Sequence, residues 1–338
     1  MGATTQFLLG QLSTPPVPKV DLTGRTILIT GANSGLGLDA AKLLVRLNCS
    51  TVVLACRNLA KAEKAKQAVQ AIPSANGQKP TVLTMEVDMA SFASIAAFAE
   101  RCKGLGRLDG VLLNAGVDLR EFSLSEGYET TITVNVISTF FLATLLVPIL
   151  RRSAQVYNIT PNLAITGSAV HIWANSKDLT SPANGQILKT LSDPKKTDMS
   201  ARYFLSKLPV MLLVKYLAAV LTKSAQSDPQ GKPLVVINNV APGLCQTNLF
   251  QNYTDTTTKV ATSVMLKVIG RPSEHGARTL VHAASAGKET HGQYLSECRV
   301  KQYSDFVKSA EGDRTARRLW EELSAIYEGV KPGCTQEL

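Results

Sequence analysis

The chain has 338 residues, 45% of them hydrophobic and 18% charged, the balance of a soluble globular protein with room for one large core. Lys and Arg number 36 against 26 Asp and Glu, a formal charge of +10, yet no dense basic cluster marks a nucleic-acid surface. Cys49, Cys56, Cys102, Cys245, Cys298 and Cys334 show no paired spacing, which excludes a zinc or disulfide framework and favours a reduced, cytoplasmic setting.

Met1 to Val20 lacks a basic region followed by an apolar core, so no secretory signal is expected. Residues 25–30 (RTILIT) form an apolar, β-branched run that ends at a glycine-rich turn. Leu38, Ala41, Leu44, Val45 and Leu47 then recur at helical spacing. TVVLACR (51–57) reads as a buried strand, 59–71 as an Ala/Lys-rich helix, and TVLTMEVD (81–88) as the third strand. SFASIAAFAERCK (91–103) is helical and LDGVLLNAG (108–116) is the fourth strand. The alternation continues through helix 127–152, strand 162–168, helix 199–223, strand 234–240, helix 273–286 and a last strand near 293–300. Val136 to Leu150, the longest apolar stretch, is too short to span a bilayer and reads as a buried helix, so no transmembrane segment is expected. Leu319, Trp320, Leu323, Ile326 and Tyr327 share one face of a C-terminal helix, 313–328, with Asp313 as its start signal.

No linker or repeat divides this pattern, so one domain over 1–338 is expected, with its core at about 22–300. Near-continuous apolar strands alternating with helices imply a parallel sheet covered on both faces. The right-handed crossover rule then makes it doubly wound, an α/β Rossmann-like fold of about seven strands.

The first turn reads Thr30-Gly31-Ala32-Asn33-Ser34-Gly35-Leu36-Gly37, between a strand and a helix. Glycines permit positive φ and close approach of backbone to a pyrophosphate, and the helix start offers N–H groups to the anion. A glycine-rich turn can also be only a turn, but its place at the head of a βαβ unit points to a nucleotide. An acid at the end of the second strand would bond the ribose 2′-hydroxyl of NAD. Cys56 and Arg57 stand there instead. A guanidinium can chelate the 2′-phosphate of NADP, with Lys61 one turn on; the bland alternative is a solvated Arg at a strand end.

TGxxxGxG at 30–37, NAG at 114–116 and YxxxK at 203–207 together resemble the short-chain dehydrogenase/reductase superfamily over roughly residues 22–300. GANSGLG and LACRN (54–58) are similar to its retinol-dehydrogenase-like and fungal carbonyl-reductase branches. The resemblance implies NADP(H) as cofactor and carbonyl/alcohol interconversion. It also implies that Asp88 touches the adenine, although capping the next helix would explain that residue equally well. Asn114, Ala115 and Gly116 would flank the adenine-side ribose and support the sheet. Asn135 matches the helix asparagine that holds a water linking the active-site lysine to solvent. APGLCQTN (241–248) resembles the segment near the nicotinamide, with Pro242 and Gly243 shaping the loop and Thr247 bonding the carboxamide or pyrophosphate. Helices 127–152 and 199–223 would pair subunits, giving a homodimer or homotetramer.

Tyr203 and Lys207, at i and i+4, share a helix face. A phenol of pKa about 10 exchanges protons slowly at neutral pH, and a nearby ammonium with an oxidised nicotinamide would favour the phenolate. Ser168 would bond the substrate oxygen beside Tyr203. Tyr327 and Lys331 form a second YxxxK, but Gly329 and Pro332 mark it as a frayed helix end. His171, a lone histidine, is more simply structural, Trp173 and Phe250 could line an apolar pocket, and Arg151-Arg152 reads as a basic helix end.

Two features depart from the family pattern. Ser168 and Tyr203 are much farther apart than usual, so the segment 171–198 is an insertion that could cap the substrate pocket or pack as a surface excursion. Pro209 falls inside helix 199–223 and denies Leu205 a helical partner. An epimerase or dehydratase on the same scaffold is the second enzymatic reading, and a non-catalytic NADP(H)-sensing binder is the third. The set Asn135, Ser168, Tyr203 and Lys207 argues against the binder, because a sensor needs only the phosphate turn.

Overall fold

The computed structural model describes residues 3–227, 234–247, 249, 253 and 256–338, with side chains except at 3, 4, 6, 227, 256–258, 260 and 261. Its framework is one sheet. Strands β1 (Thr26–Thr30), β2 (Thr51–Cys56), β3 (Thr81–Glu86), β4 (Gly110–Leu113), β5 (Asn162–Thr166), β6 (Val236–Ala241) and β7 (Tyr294–Ser296) pair in parallel in the order 3-2-1-4-5-6-7. An edge strand, β8 (Arg299–Lys301), adds antiparallel to β7. Every residue of β1, β4 and β6 is buried, because helices cover both faces. Phe92–Cys102, Thr139–Tyr157, Arg202–Ser227 and the C-terminal helix share the core on one face. Gly35–Arg46, Leu59–Gln70 and Ser273–Ser285 share the core on the other. The doubly wound α/β fold expected from the alternation is therefore present.

Several boundaries move for local reasons. The last strand is a hairpin, since Glu297 and Cys298 both take positive φ (49° and 57°) and reverse the chain. Helix 127–152 starts later, because Leu124–Ser125 and Tyr128–Glu129 make a small hairpin first. Glu129 then caps a helical turn by accepting from the N–H groups of Thr131 (2.8 Å) and Ile132 (3.1 Å). Thr133–Ser138 is π-helical and leads into Thr139–Tyr157. Ser91, whose hydroxyl accepts from Ser94 N, caps Phe92–Cys102; Asp88 does not. The C-terminal helix runs over Ala310–Val330, capped by Ser309 rather than started at Asp313. It ends at Val330 with Lys331 as its C-cap residue, and Tyr327 is fully buried, so the second YxxxK is a helix end as read, but one anchored in the core rather than frayed. Arg202–Ser227 continues as helix through Pro209, and Pro148 lies within Thr139–Tyr157.

The insertion is folded. It comprises a 3₁₀ turn (Ala169–Trp173) and two short helices, Lys177–Thr180 and Ile187–Leu191. Leu179, Ile187, Leu188 and Leu191 are buried in the main core, and Glu322 of the C-terminal helix accepts from Ile187 N and Leu188 N at 2.8 Å each. Ile187, Leu188 and Leu191, the residues by which a cap would cover an apolar ligand, are thus engaged in the core, and Trp173 packs against Phe204 of Arg202–Ser227. Arg151 is buried well inside its helix, donating to Glu337 O and to Ser224 Oγ (3.2 Å), so it is no simple basic helix end. Thr130–Tyr157 and Arg202–Gln226 are long and apolar enough to cross a bilayer, longer than the stretch read from sequence. Their most apolar windows are 94% and 72% buried inside the protein, as core helices are.

Candidate active site

The site forms at the carboxyl edge of β1, β4 and β5, where the strand order reverses. Gly31 takes φ +68°, and a Cβ there would come within 3.1 Å of Ala115 Cα. On Gly37 a Cβ would lie 2.4 Å from Gly31 O and 2.8 Å from Asn114 Nδ2. These two positions let the turn close against the 114–116 segment. Ser34 is the N-cap residue of Gly35–Arg46 yet its hydroxyl makes no cap bond, which leaves the helix start without a side-chain acceptor. Thr247 lies over the same turn, its Cβ 3.4 Å from where a Cβ of Gly35 would be. The Pro242–Thr247 loop and the glycine turn therefore line one cleft.

Thr30 knits this edge together. Its buried Oγ1 accepts from Asn114 N and Ala115 N, both at 3.0 Å, and Asn114 Nδ2 donates to Thr30 O at 3.1 Å. Asp88 organises its own turn, with Oδ1 accepting from Ala90 N at 2.9 Å. At the end of β2, Cys56 is buried and its thiol is pushed up to about 11 by desolvation, so the position carries no charge. Arg57 and Lys61 are exposed beside it. A shallow cavity of about 410 Å³ is lined by Asn33, Ser34, Leu38, Lys61, Lys64, Ala65 and Ala68. Lys64 escaped the sequence reading, although its position one turn past Lys61 on a helix was a usable signal.

Asn135, Lys207, Ser168 and Tyr203 are brought together. Asn135 pairs with the Val117 backbone in both directions, Oδ1 accepting from Val117 N and Nδ2 donating to Val117 O, each at 2.9 Å. Nδ2 also donates to Ser206 Oγ at 3.0 Å, and Ser206 donates to Tyr203 O at 2.7 Å. Gly116 makes room: a Cβ there would stand 3.1 Å from Asn135 Oδ1 and 3.9 Å from Lys207 Nζ. Lys207 is buried, donates to Thr166 O at 3.0 Å, and lies 5.4 Å from the Tyr203 ring centroid. Burial pulls it down to about 8.

The Tyr203 phenol is pushed above the ordinary tyrosine value, first by burial and next by the Asp118 charge, while the Ser168 side chain acts the other way. Burial outweighs the hydrogen bond, so Tyr203 carries its proton at neutral pH, as an ordinary tyrosine does. Asp118 was missed. It is buried, is itself raised by desolvation, and accepts from Tyr253 OH at 2.7 Å. Arg120 lies over the Tyr253 ring at 4.2 Å and donates to Ser200 O at 2.9 Å. Ser206, also missed, carried a signal as a serine within the YxxxK spacing. His171 is structural as expected, buried with Nδ1 2.9 Å from Ser168 O, and burial lowers its pKa. Phe250 and Asn248 lie outside the described residues. Among the described residues no cluster suited to a metal is present.

A dinucleotide-type turn, an uncharged β2 end and a Tyr–Ser pair at the cleft backed by buried Lys207 and Asn135 define a nicotinamide-dependent oxidoreductase. Residues 25–177 match the short chain dehydrogenase family. The chain is 38% identical over 330 residues to the short-chain dehydrogenase anuD of Penicillium roqueforti, covering 97% of this chain and 84% of that protein. It is 35% identical over 304 residues to the short chain dehydrogenase atnD of Emericella nidulans, covering 89% and 92%. The fold is also that of salutaridine reductase from Papaver somniferum, at TM-score 0.58, 19% identity, and 80% and 99% coverage. RhlG of Pseudomonas aeruginosa, solved in an active-site complex with NADP, aligns at TM-score 0.57 and 22% identity, covering 81% and 95%. The chain belongs to the short-chain dehydrogenase/reductase family, NAD(P)-dependent oxidoreductases of carbonyl and alcohol groups on small molecules.

Proposed function

We propose that the protein is an NADPH-dependent reductase of a ketone or aldehyde on a small to mid-sized, fairly apolar metabolite. The observation that carries this reading is the convergence of Tyr203, Lys207, Asn135 and Ser168 beside the glycine turn. Both named relatives come from fungi, which favours the fungal carbonyl-reductase branch over the retinol-dehydrogenase-like one.

The residues present fit the cofactor. Gly31 and Gly37 let the turn fold tightly against the 114–116 segment, and the start of Gly35–Arg46 offers N–H groups to a pyrophosphate. Arg57, Lys61 and Lys64 would hold the 2′-phosphate, at a strand end where Cys56 presents no repelling carboxylate. Asp88, Asn114 and Ala115 would border the adenosine, and Pro242, Gly243 and Thr247 the nicotinamide. NADPH, when bound, supplies the hydride.

The chain's own residues do the proton chemistry. Tyr203, kept neutral by burial, donates its phenolic proton to the carbonyl oxygen as that oxygen gains charge. Ser168 donates a hydrogen bond to the same oxygen and steadies the phenolate left behind. Lys207 places positive charge by the phenol, and Asn135 with Ser206 fixes the helix turn that carries it. Among the alternatives, the assembled Asn135, Ser168, Tyr203 and Lys207 set favours reduction over a sensing role, since a mere binder needs only the phosphate turn.

Following NADPH absorbance while carbonyl compounds are added tests the reading. Tyr203→Phe keeps the ring and loses the proton, so turnover should fall by roughly 100-fold or more with NADPH binding little changed. Retained turnover would end the assignment of Tyr203.

A further inference from the structure

Ahead of the sheet, Ala3–Leu12 forms a helix whose i and i+4 residues Phe7 and Gln11 share a face. That face turns inward. Gln11 is 6% exposed, whereas Leu8, Leu9 and Leu12 are 46%, 52% and 79% exposed. Gln11 Nε2 donates to Leu244 O (2.6 Å) and Ile269 O (2.8 Å), and its Oε1 accepts from Leu244 N (2.9 Å). Arg271, also buried, donates from Nη2 to Gly10 O at 2.7 Å. Gly243 permits the close fit: at φ +82°, a Cβ there would lie 2.9 Å from both Gln11 Oε1 and Arg271 Cζ. The helix is thus fastened to the Pro242–Thr247 loop by side chains that have left water to reach it.

One turn earlier the same face carries Phe7. Its ring meets Trp173 edge-on at 5.5 Å and 79°. Trp173 meets Phe204 at 5.8 Å, and Phe204 meets Tyr203 at 6.5 Å. A line of rings therefore runs from the N-terminal helix, through the start of the insertion, to the proton donor. Trp173, two ring contacts from Tyr203, keeps 43% of its surface exposed.

We propose that Phe7, Trp173 and Phe204 form an aromatic wall that selects flat, fused-ring ketones, and that Gln11 and Arg271 are positioning residues holding Phe7 in it. The inference deepens the reductase reading and rests on it. A flat aromatic ligand laid on Trp173 covers that exposed surface and adds ring–ring contact, while a small aliphatic carbonyl gains neither.

Calorimetric binding of 1-tetralone to the NADP-loaded protein tests the wall without turnover. Phe7→Ala should weaken binding roughly threefold to tenfold, with Phe7→Leu in between. It should lower the kcat/KM ratio of 1-tetralone to diacetyl by a similar factor. Gln11→Leu should weaken binding as Phe7→Ala does, and the double variant should be no weaker than either, because both remove one wall. Absence of 1-tetralone binding by wild type, or an unchanged constant in a folded Phe7→Ala, overturns the wall. Additive losses overturn the positioning role of Gln11. If Phe7→Ala does not fold, Phe7→Leu decides by the same criterion. Binding that depends on Phe7 without NADPH consumption removes the reductase reading and leaves the wall. Consumption with an unchanged ratio and constant does the reverse.

Discussion

Lys207 holds an ammonium with almost no solvent, donating to Thr166 O, and burial brings it to about 8. An exposed lysine titrates near 10.4. Below about 8 both folded and unfolded chains carry the proton, and the fold bears the whole desolvation cost. Between the two values only the unfolded chain binds it, so the lysine's contribution makes stability rise with pH across that window. Catalysis runs the opposite way. If the ammonium assists Tyr203, kcat/KM for carbonyl reduction should decline as pH rises through about 8, and Lys207→Arg should give a slower enzyme without that decline. A profile that stays level in wild type would detach Lys207 from the proton step. At the other end of the cleft, Arg57→Asp should cut the preference for NADPH over NADH by roughly 10- to 100-fold, the scale of a lost charge-assisted bond. A wild type that favours NADH would refute the phosphate role. The four residues proposed for catalysis were legible because each sits in a short motif. Asp118 was not, since the partner that makes it interesting, Tyr253, is 135 residues away and nothing local announces it.

Among elements, the small hairpin that leads into the long apolar helix and the first turn of Arg202–Ser227 are joined through Glu129 and Arg202. Their side chains are 0% and 3% exposed, with Arg202 Nε 3.4 Å from Glu129 Oε2. Arg202 Nη2 also donates to Thr197 Oγ1 at 2.8 Å, tying in the end of the insertion. Glu129→Ala would leave a buried guanidinium without its counter-charge and uncap Thr131 and Ile132. A loss of about 3–5 kcal/mol is expected from chemical denaturation. Lys308→Ala, at the exposed pair with Asp305 (3.0 Å), should cost about 1 kcal/mol or less. Equal costs would mean that the buried pair is not what holds this junction. Strands β1, β2, β4, β5 and β6 were readable because each is an apolar run buried on both faces, and the edge strand β3 because its β-branched residues follow a helix in the same alternation. The helices Ala3–Leu12 and Thr256–Ile269 were not foreseen. Ala3–Leu12 shows the reason: its inward face includes a polar glutamine while its leucines point outward, so apolar spacing gave no helical signal. The insertion's three short turns are likewise fixed by distant partners, such as Glu322, rather than by their own periodicity.

At the scale of the molecule, the C-terminal helix covers the two apolar helices that the family resemblance offered as a pairing face. Tyr327 stacks on Phe141 at 5.0 Å and donates to Ile137 O at 2.8 Å inside the π-helical segment. Trp320 lies 6.0 Å from Tyr216, and Lys215 reaches Asp313 at 2.7 Å. The tail follows, with Glu337 O accepting from Arg151. Light scattering should therefore give the mass of one chain. Removing 305–338 should expose Phe141 and Tyr216 and drive self-association. A wild-type dimer through these helices would contradict this.

That covered face has a kinetic consequence. The single-chain particle predicted above would carry one site and have nothing to dissociate on dilution. Its specific activity should stay constant as it is diluted, and its saturation with either substrate should be hyperbolic. Each molecule would work the same whether the protein is scarce or abundant.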